Sequence, residues 1–197
     1  MAKSLSAVAL LTLLCCSVWG QQKSAIASNL SPFSLSLAPR FTIPLGRDTA
    51  VYAIGGGADI KAEYRMPFMP ILFVGGGLGY SFVPLQAVTS ISLIDAGATA
   101  GLRYDLLPSL SVRAFGSVGY FYALVNDGNT QGGGNPLISA GADISYAITP
   151  SLGIGLGATY RYYSGLYNDI AVTLGVSYRF AEGGGQTAKP AQQGPSQ

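Results

Sequence analysis

Charged residues that alternate with small or apolar ones are the first candidates for chemistry in this sequence. A carboxylate beside a cation could form a general acid–base pair. Residues two apart on a strand share a face, so ion pairs enclosed by the fold are the simpler interpretation, because an unpaired buried charge is costly. We therefore predict a structural network from the charged members of these alternating segments: Asp59, Lys61, Glu63, Arg65, Asp95, Arg103, Asp105, Arg113, Asp143, Arg161 and Arg179.

Composition restricts other kinds of site. The chain contains no histidine, and its two cysteines, Cys15 and Cys16, both lie in the first 20 residues. This excludes His/Cys zinc sites, disulfides in the rest of the chain and Cys–His or Ser–His nucleophilic pairs. The glycine runs at 55–57 and 75–77 precede neither a helix nor a Gly-Lys-Ser/Thr sequence, so a phosphate loop is not expected. The sequence predicts no catalytic residue, no cofactor and no metal.

The overall charge excludes a further class of partner. Lysine and arginine number 11 and aspartate and glutamate 9, which gives a net charge of +2. The signs are scattered, so there is no basic patch for nucleic acid. Charged residues make up 10% of the chain, against roughly 25% in an ordinary soluble domain.

The N-terminal segment has the composition of an export signal. Lys3 supplies a positive start, residues 5–19 are apolar, and Gly20 could close the signal. We predict a signal peptide over residues 1–20, with cleavage as late as residue 27. Two alternatives are a transmembrane anchor, for which the apolar run is short, and a lipoprotein signal ending at Cys16, which lacks the expected small residue before it.

From residue 33 to residue 180 apolar residues alternate with polar or small ones. Period two is the pattern of an extended strand with one apolar face. The apolar side carries no Lys, Arg, Asp or Glu in any segment. Eight segments follow this pattern: 33–43, 51–65, 71–83, 94–105, 111–122, 138–146, 152–162 and 170–180.

Tyrosines and connections repeat with these segments. Prolines mark short turns at 66–70, 107–109 and 149–151, whereas the connections at 45–49, 84–90, 126–135 and 164–168 are mostly longer and richer in Gly, Asn and Asp. Short turns are therefore expected at one end and loops at the other. Six tyrosines on the apolar side, spaced by about 40 residues, mark the two ends as aromatic girdles: Tyr64, Tyr104 and Tyr146 beside the turns, and Tyr80, Tyr120 and Tyr160 toward the loops.

These segments predict an all-β protein. Eight antiparallel strands leave two sheet edges, and pairing the first strand with the eighth removes both. The polar side is mostly Gly, Ser, Ala and Thr, too sparsely charged for a surface in water but suited to a crowded interior. We predict a closed eight-stranded antiparallel up-and-down transmembrane β-barrel over residues 33–180, with its apolar side in lipid.

The last segment carries a motif of a known family. Thr173, Gly175, Tyr178 and Phe180 resemble the assembly signal of small bacterial outer-membrane barrels of the OmpA and OmpX type. The resemblance implies recognition by the barrel-assembly machinery and periplasmic chaperones, a site in outer-membrane lipid, and termini and short turns in the periplasm. Barrel enzymes of similar architecture rely on histidine, which is absent. Residues 181–197 are expected to form a flexible periplasmic tail, too short for the peptidoglycan-binding domain of OmpA-type proteins.

Two functions remain open at this stage. One is a structural or surface-interaction barrel in which the charged network acts as lumen gate and staple, with the loop at 126–135 facing an outside partner. The other is a narrow porin-like channel or small-ligand conduit, which lumen-side glycines such as Gly97, Gly119 and Gly157 would accommodate. We favour the first.

Overall fold

The computed structural model describes residues 30–86, 89–125 and 131–181, so the expected signal segment and residues 182–197 lie outside it. The chain forms eight strands and one short 3₁₀ turn, Gly46–Ala50. The strands are β1 (Leu30–Pro44), β2 (Gly55–Arg65), β3 (Leu72–Pro84), β4 (Ser90–Leu107), β5 (Leu110–Val125), β6 (Gln131–Ala147), β7 (Leu152–Tyr163) and β8 (Tyr167–Ala181).

The strands close into a barrel. Each pairs antiparallel with the next along the chain, and β1 pairs with β8, which confirms the predicted fold. Following the register from Ser34 through all eight strands leads back to Pro44, ten residues farther along β1. This stagger tilts the strands, and with eight of them it leaves an interior that side chains can fill.

Side chains alternate between the interior and the outer surface as period two requires. On the outside, Leu78 is 63% exposed and Leu174 is 61% exposed, whereas Arg40 and Asp59 on the inside are 3% and 7% exposed. The apolar side therefore faces outward, where a lipid bilayer would lie. The six tyrosines expected in the girdles are all on this outer surface: Tyr64, Tyr80, Tyr104, Tyr120, Tyr146 and Tyr160. No helix among the described residues has the length and apolar character needed to cross a membrane.

The two ends of the barrel differ. The short-turn end carries the connections at 66–71, 108–109 and 148–151, together with the start of β1 and the end of β8. The loop end carries the other connections. The β7–β8 connection there spans only Ser164–Leu166, shorter than expected, because Gly165 adopts a positive φ of 73° that closes a tight turn.

Two expected boundaries at the loop end are wrong. Residues 131–135 belong to β6, because Tyr122 lies over Gly132 and Tyr120 over Gly134, positions where a side chain would block the rings. Only 126–130 connects β5 to β6, and it lies outside the described residues. The second strand begins at Gly55 instead of residue 51, because Tyr52 turns inward and forms a bridge with Leu85.

The loop end of the interior is apolar. This was not expected, since the interior was predicted to be polar along its whole length. We call this buried cluster the aromatic plug, and it consists of Val83, Ile91, Leu93, Phe121, Ala123, Leu137, Tyr163 and Tyr167. Its members lie at the inward-facing positions of their strands, so side chains still alternate between the interior and the outer surface. Only the enclosed side chains differ, because here they are apolar instead of polar.

Candidate functional site

Arg40 is the centre of a buried charge cluster in the lumen. It projects from β1, and its Nη1 donates to Asp59 of β2 while its Nη2 donates to Asp95 of β4 at 2.7 Å. Nε donates to the Ser81 hydroxyl of β3 at 2.9 Å. The guanidinium therefore ties the first four strands together through charge-assisted hydrogen bonds.

Gly79 leaves the space that this cluster occupies. A Cβ built there would lie 2.7 Å from Asp59 Oδ1 and 2.8 Å from Arg40 Nη1. We expect Gly79→Ala to lower the free energy of unfolding by about 1–3 kcal/mol, because the ion pairs must separate to admit the methyl group. Urea unfolding in lipid vesicles measures this loss. The matched control is Gly116→Ala on the outer face, whose nearest contact would be 3.8 Å, and an equal loss in both variants would contradict the interpretation.

Arg113 forms a second cluster farther toward the short-turn end. Its Nε and Nη2 donate to both oxygens of Asp143 at 2.7 and 2.9 Å, and Nη1 donates to Glu63 on the opposite wall. The guanidinium also lies over the Phe73 ring, 5.6 Å from its centroid. This cluster links β5 and β6 to β2 across the lumen.

A third pair lies directly beside the aromatic plug. Arg161 donates to both oxygens of Asp169 at 2.8 and 2.7 Å, and the Tyr167 hydroxyl donates to the same carboxylate at 2.8 Å. Asp169 is fully buried, and Arg161 is 4% exposed. The pair therefore supplies the polar contacts that the buried end of the plug requires.

Stacked rings form the plug itself. Tyr163 and Tyr167 are parallel with centroids 5.1 Å apart, Tyr52 stacks on Tyr167 at 4.8 Å, and Phe121 meets Tyr163 edge-on at 5.0 Å. The main-chain N–H of Asn168 donates to Asp48 of the 3₁₀ turn at 2.9 Å, which holds that turn against the stack. These rings therefore pack against one another across the loop end of the lumen.

The remaining predicted charges lie at or near the short-turn end. Asp105 accepts from Arg65 at 2.9 Å and from Arg103 at 2.8 Å. Lys61 lies over the Phe115 ring, 5.2 Å from its centroid. Among the described residues, neither Lys61 nor Arg179 makes an ion pair.

All eleven charged residues predicted for the network face the lumen. The predicted network left out Arg40, and it missed Asp169 because this residue falls between the expected connection at 164–168 and the expected strand at 170–180. The tyrosines of the plug were also missed. The signal that could have found them is the loss of alternation near the loop end, as in Tyr120-Phe121-Tyr122-Ala123.

The residues of the expected assembly signal lie on both faces of β8. Thr173 and Gly175 face the lumen, and Tyr178 and Phe180 are exposed outside. The two rings meet edge-on with centroids 5.2 Å apart, and Phe180 also contacts Phe33 of β1 at 5.5 Å. These contacts place an aromatic group across the β1–β8 closure.

A cavity of about 70 Å³ lies in the middle of the lumen, between the Arg40 cluster and the Arg161 pair. This is room for a few water molecules. Lys61 and hydroxyl side chains such as Ser117 and Thr159 also line it. Within residues 30–86, 89–125 and 131–181, no group of three or more His, Cys, Asp or Glu side chains is placed to hold a metal ion.

Several solved structures share the fold of this chain. Neisserial surface protein A superimposes with a TM-score of 0.62 at 17% identity, over 78% of this chain and 100% of that one. Ail, the attachment invasion locus protein of Yersinia pestis, gives 0.52 at 17% identity over 77% and 99%. OprG from Pseudomonas aeruginosa gives 0.50 at 10% identity over 77% and 97%. These likenesses establish a shared fold.

No curated protein matches the sequence. The model of the outer membrane protein beta-barrel domain family matches residues 7–180, which includes β1 to β7 and all of β8 except Ala181. This match indicates a location in the outer membrane. With its strand number, closure and outward apolar face, the chain belongs to the outer membrane protein beta-barrel domain family.

Proposed function

We propose that this protein is a structural or surface-interaction barrel of the outer membrane, without enzymatic activity, whose lumen is closed to solutes. The observation that carries the proposal is the aromatic plug, in which Phe121 is 1% exposed and Tyr163 is fully buried. A solute entering from the loop end would have to separate stacked rings that share one buried core. Below them, the Arg40 cluster joins β1, β2 and β4 and fills part of the lumen.

A surface role agrees with the shape of the loop end. Strands β5 and β6 continue their pairing as far as Val125 and Gln131, so they present a long hairpin there. Its outer face carries the rings of Tyr120 and Tyr122. We propose the end of this hairpin as the contact surface for an outside partner, because exposed loops on a rigid scaffold are the usual carriers of recognition.

A narrow channel is the second candidate. The cavity beside Lys61 and Arg161 favours it, since it provides a polar space in the lumen. That space lies between the plug and the Arg113 cluster, so conduction would need both barriers to open. A small polar solute could then pass only by displacing buried ion pairs, which is costly.

Planar-bilayer recording separates the two functions. We expect purified protein inserted into a bilayer to produce no steady current, and a large porin added afterwards checks that the bilayer responds to insertion. A steady current that changes when Arg113 or Arg161 is replaced with alanine would contradict the closed barrel and favour the channel. Both residues border the route that a solute would take.

We also propose that residues 1–20 are removed on export, and that the barrel-assembly machinery and periplasmic chaperones deliver the chain to outer-membrane lipid. Membership of the family supports this route. In the resulting orientation the short-turn end faces the periplasm, and residues 182–197 form a tail on that side. The N-terminal residue of protein taken from the outer-membrane fraction tests the proposal, and an intact Met1 there would contradict it.

A further inference from the structure

Positive charge is in excess at the short-turn end of the lumen. Elsewhere in the described interior, the arginines are matched by carboxylates: Arg40 contacts two, Arg113 contacts two and Arg161 contacts one. At the short-turn end, three lumen-facing arginines lie near one described carboxylate, Asp105, which pairs with Arg65 and Arg103. We call Arg65, Arg103 and Arg179 the arginine cup.

The one carboxylate of the cup is already committed. Asp105 Oδ2 accepts from Arg65 Nη2 at 2.9 Å, and Oδ1 accepts from Arg103 Nε at 2.8 Å. Arg179 faces the same lumen from β8, where it is in register with Ser34 of β1, and Ser34 is in register with Glu63, two residues from Arg65 on β2. No described carboxylate forms an ion pair with Arg179. Among the described residues, the three arginines and Asp105 therefore carry an excess of two positive charges, and several guanidinium N–H groups have no anionic partner.

The backbone holds the cup in place. The main-chain N–H of Arg103 donates to Ile71 O at 2.7 Å, and that of Arg179 donates to Ser151 O at 2.7 Å. Arg65 Nε donates to Pro70 O at 2.5 Å. The main chain of Arg103 and Arg179 and the side chain of Arg65 are thus anchored to neighbouring short turns, which fixes the positions from which the three side chains extend and reduces the ordering needed on binding.

The cup is open to solvent on one side only. The side chains of Arg65, Arg103 and Asp105 are 27%, 23% and 36% exposed. Toward the middle of the lumen, Phe73 is buried and lies beneath the guanidinium of Arg113. A ligand can therefore enter from the short-turn end and would stop at this floor.

We propose that the arginine cup binds a phosphate group, carried by a soluble phosphate or phosphomonoester. A dianion balances the two excess charges. Planar guanidinium groups also offer paired N–H donors that match the oxygens of phosphate. Chloride presents one charge and no directional acceptor, so it is a weaker ligand for the same cup.

Thermal unfolding in a neutral detergent, titrated with inorganic phosphate against sodium chloride of equal ionic strength, tests this proposal. We expect phosphate to raise the Tm of the intact protein by roughly 5 °C at concentrations far above its Kd. Arg179→Gln should lose most of this rise, and it should fold because no described ion pair depends on Arg179. Arg179→Lys keeps the charge without the paired donors and should retain part of the rise.

Arg47→Gln is the matched control, because Arg47 is an exposed arginine in the 3₁₀ turn at the loop end. It should respond to phosphate as the intact protein does. A second variant, Arg179→Glu, supplies the missing carboxylate internally, so its Tm in chloride should not fall and its phosphate response should disappear. Equal shifts in phosphate and chloride, or an undiminished phosphate response in Arg179→Gln, would overturn the proposal.

A lipid headgroup presents the same phosphate oxygens as a soluble ligand. Repeating the titration with a short-chain phosphatidic acid separates these sources, because the preferred ligand acts at the lower concentration. If phosphatidic acid raised the Tm and inorganic phosphate did not, the proposal of a soluble ligand would be wrong. These titrations measure thermal unfolding and not conductance, so their outcome does not depend on whether the lumen is closed.

Discussion

Replacing Arg40 with methionine is expected to lower the free energy of unfolding by about 3–5 kcal/mol, because two buried carboxylates lose their cation. Asp59 is 7% exposed, and both Asp59 and Asp95 use Arg40 as their described ion-pair partner. Urea unfolding of the refolded barrel in lipid vesicles measures the loss. The fraction that migrates as a compact band in an unboiled gel reports whether the barrel still closes.

Arg103→Met is the matched control for this change. Its partner Asp105 keeps Arg65 at 2.9 Å and lies in a more exposed part of the lumen, so we expect a loss of about 1 kcal/mol or less. Combining Arg40→Met with Asp59→Asn and Asp95→Asn should recover much of the lost stability, because no charge then lacks a partner. If the triple variant is as unstable as Arg40→Met, the loss came from packing and not from the orphaned carboxylates.

Truncating Phe121 to alanine is expected to cost about 3–5 kcal/mol and to open the loop end of the lumen. Phe121 packs edge-on against Tyr163 with centroids 5.0 Å apart, so its removal leaves a cavity inside the aromatic plug. We expect a lower urea midpoint from this variant, and brief current steps in planar bilayers once Arg113→Ala is added, because the Arg113 cluster is the second barrier in the lumen. The intact protein should give neither.

Tyr120→Ala is a control from the adjacent position. Tyr120 is 55% exposed on the outer face, so its ring leaves the interior unchanged. We expect this variant to be electrically silent and to lose less than half the stability that Phe121→Ala loses. Current steps from Tyr120→Ala combined with Arg113→Ala, or none from a folded variant that combines Phe121→Ala with Arg113→Ala, would show that the plug does not control access.

The sequence was sufficient to predict which side of the barrel each charge occupies. Strand alternation is a local property, so the inward position of Asp59 or Arg161 follows from its neighbours along the chain. The partners of those charges depend on the stagger between strands. Arg40 meets Asp95 from three strands away, a contact that no spacing within one segment encodes.

The aromatic plug was not predicted, for a different reason. Near the loop end both parities of β5 are apolar, as in Phe121 on the inside and Tyr120 on the outside, while in β4 the apolar Ile91 and Leu93 lie inside and Ser92 lies outside. A pattern that separates polar from apolar sides carries no information where both sides are apolar. The inward turn of Tyr52 depends on Tyr167, more than a hundred residues away, so it too required the folded structure.

The ion clusters differ in where their members lie along the chain. Arg40, Asp59 and Asp95 all lie within the first four strands, so the N-terminal half of the chain contains every member of this cluster. Glu63 differs, because its cation Arg113 is supplied by the C-terminal half. The ion pair between Glu63 and Arg113 can therefore form only when both halves of the barrel are present.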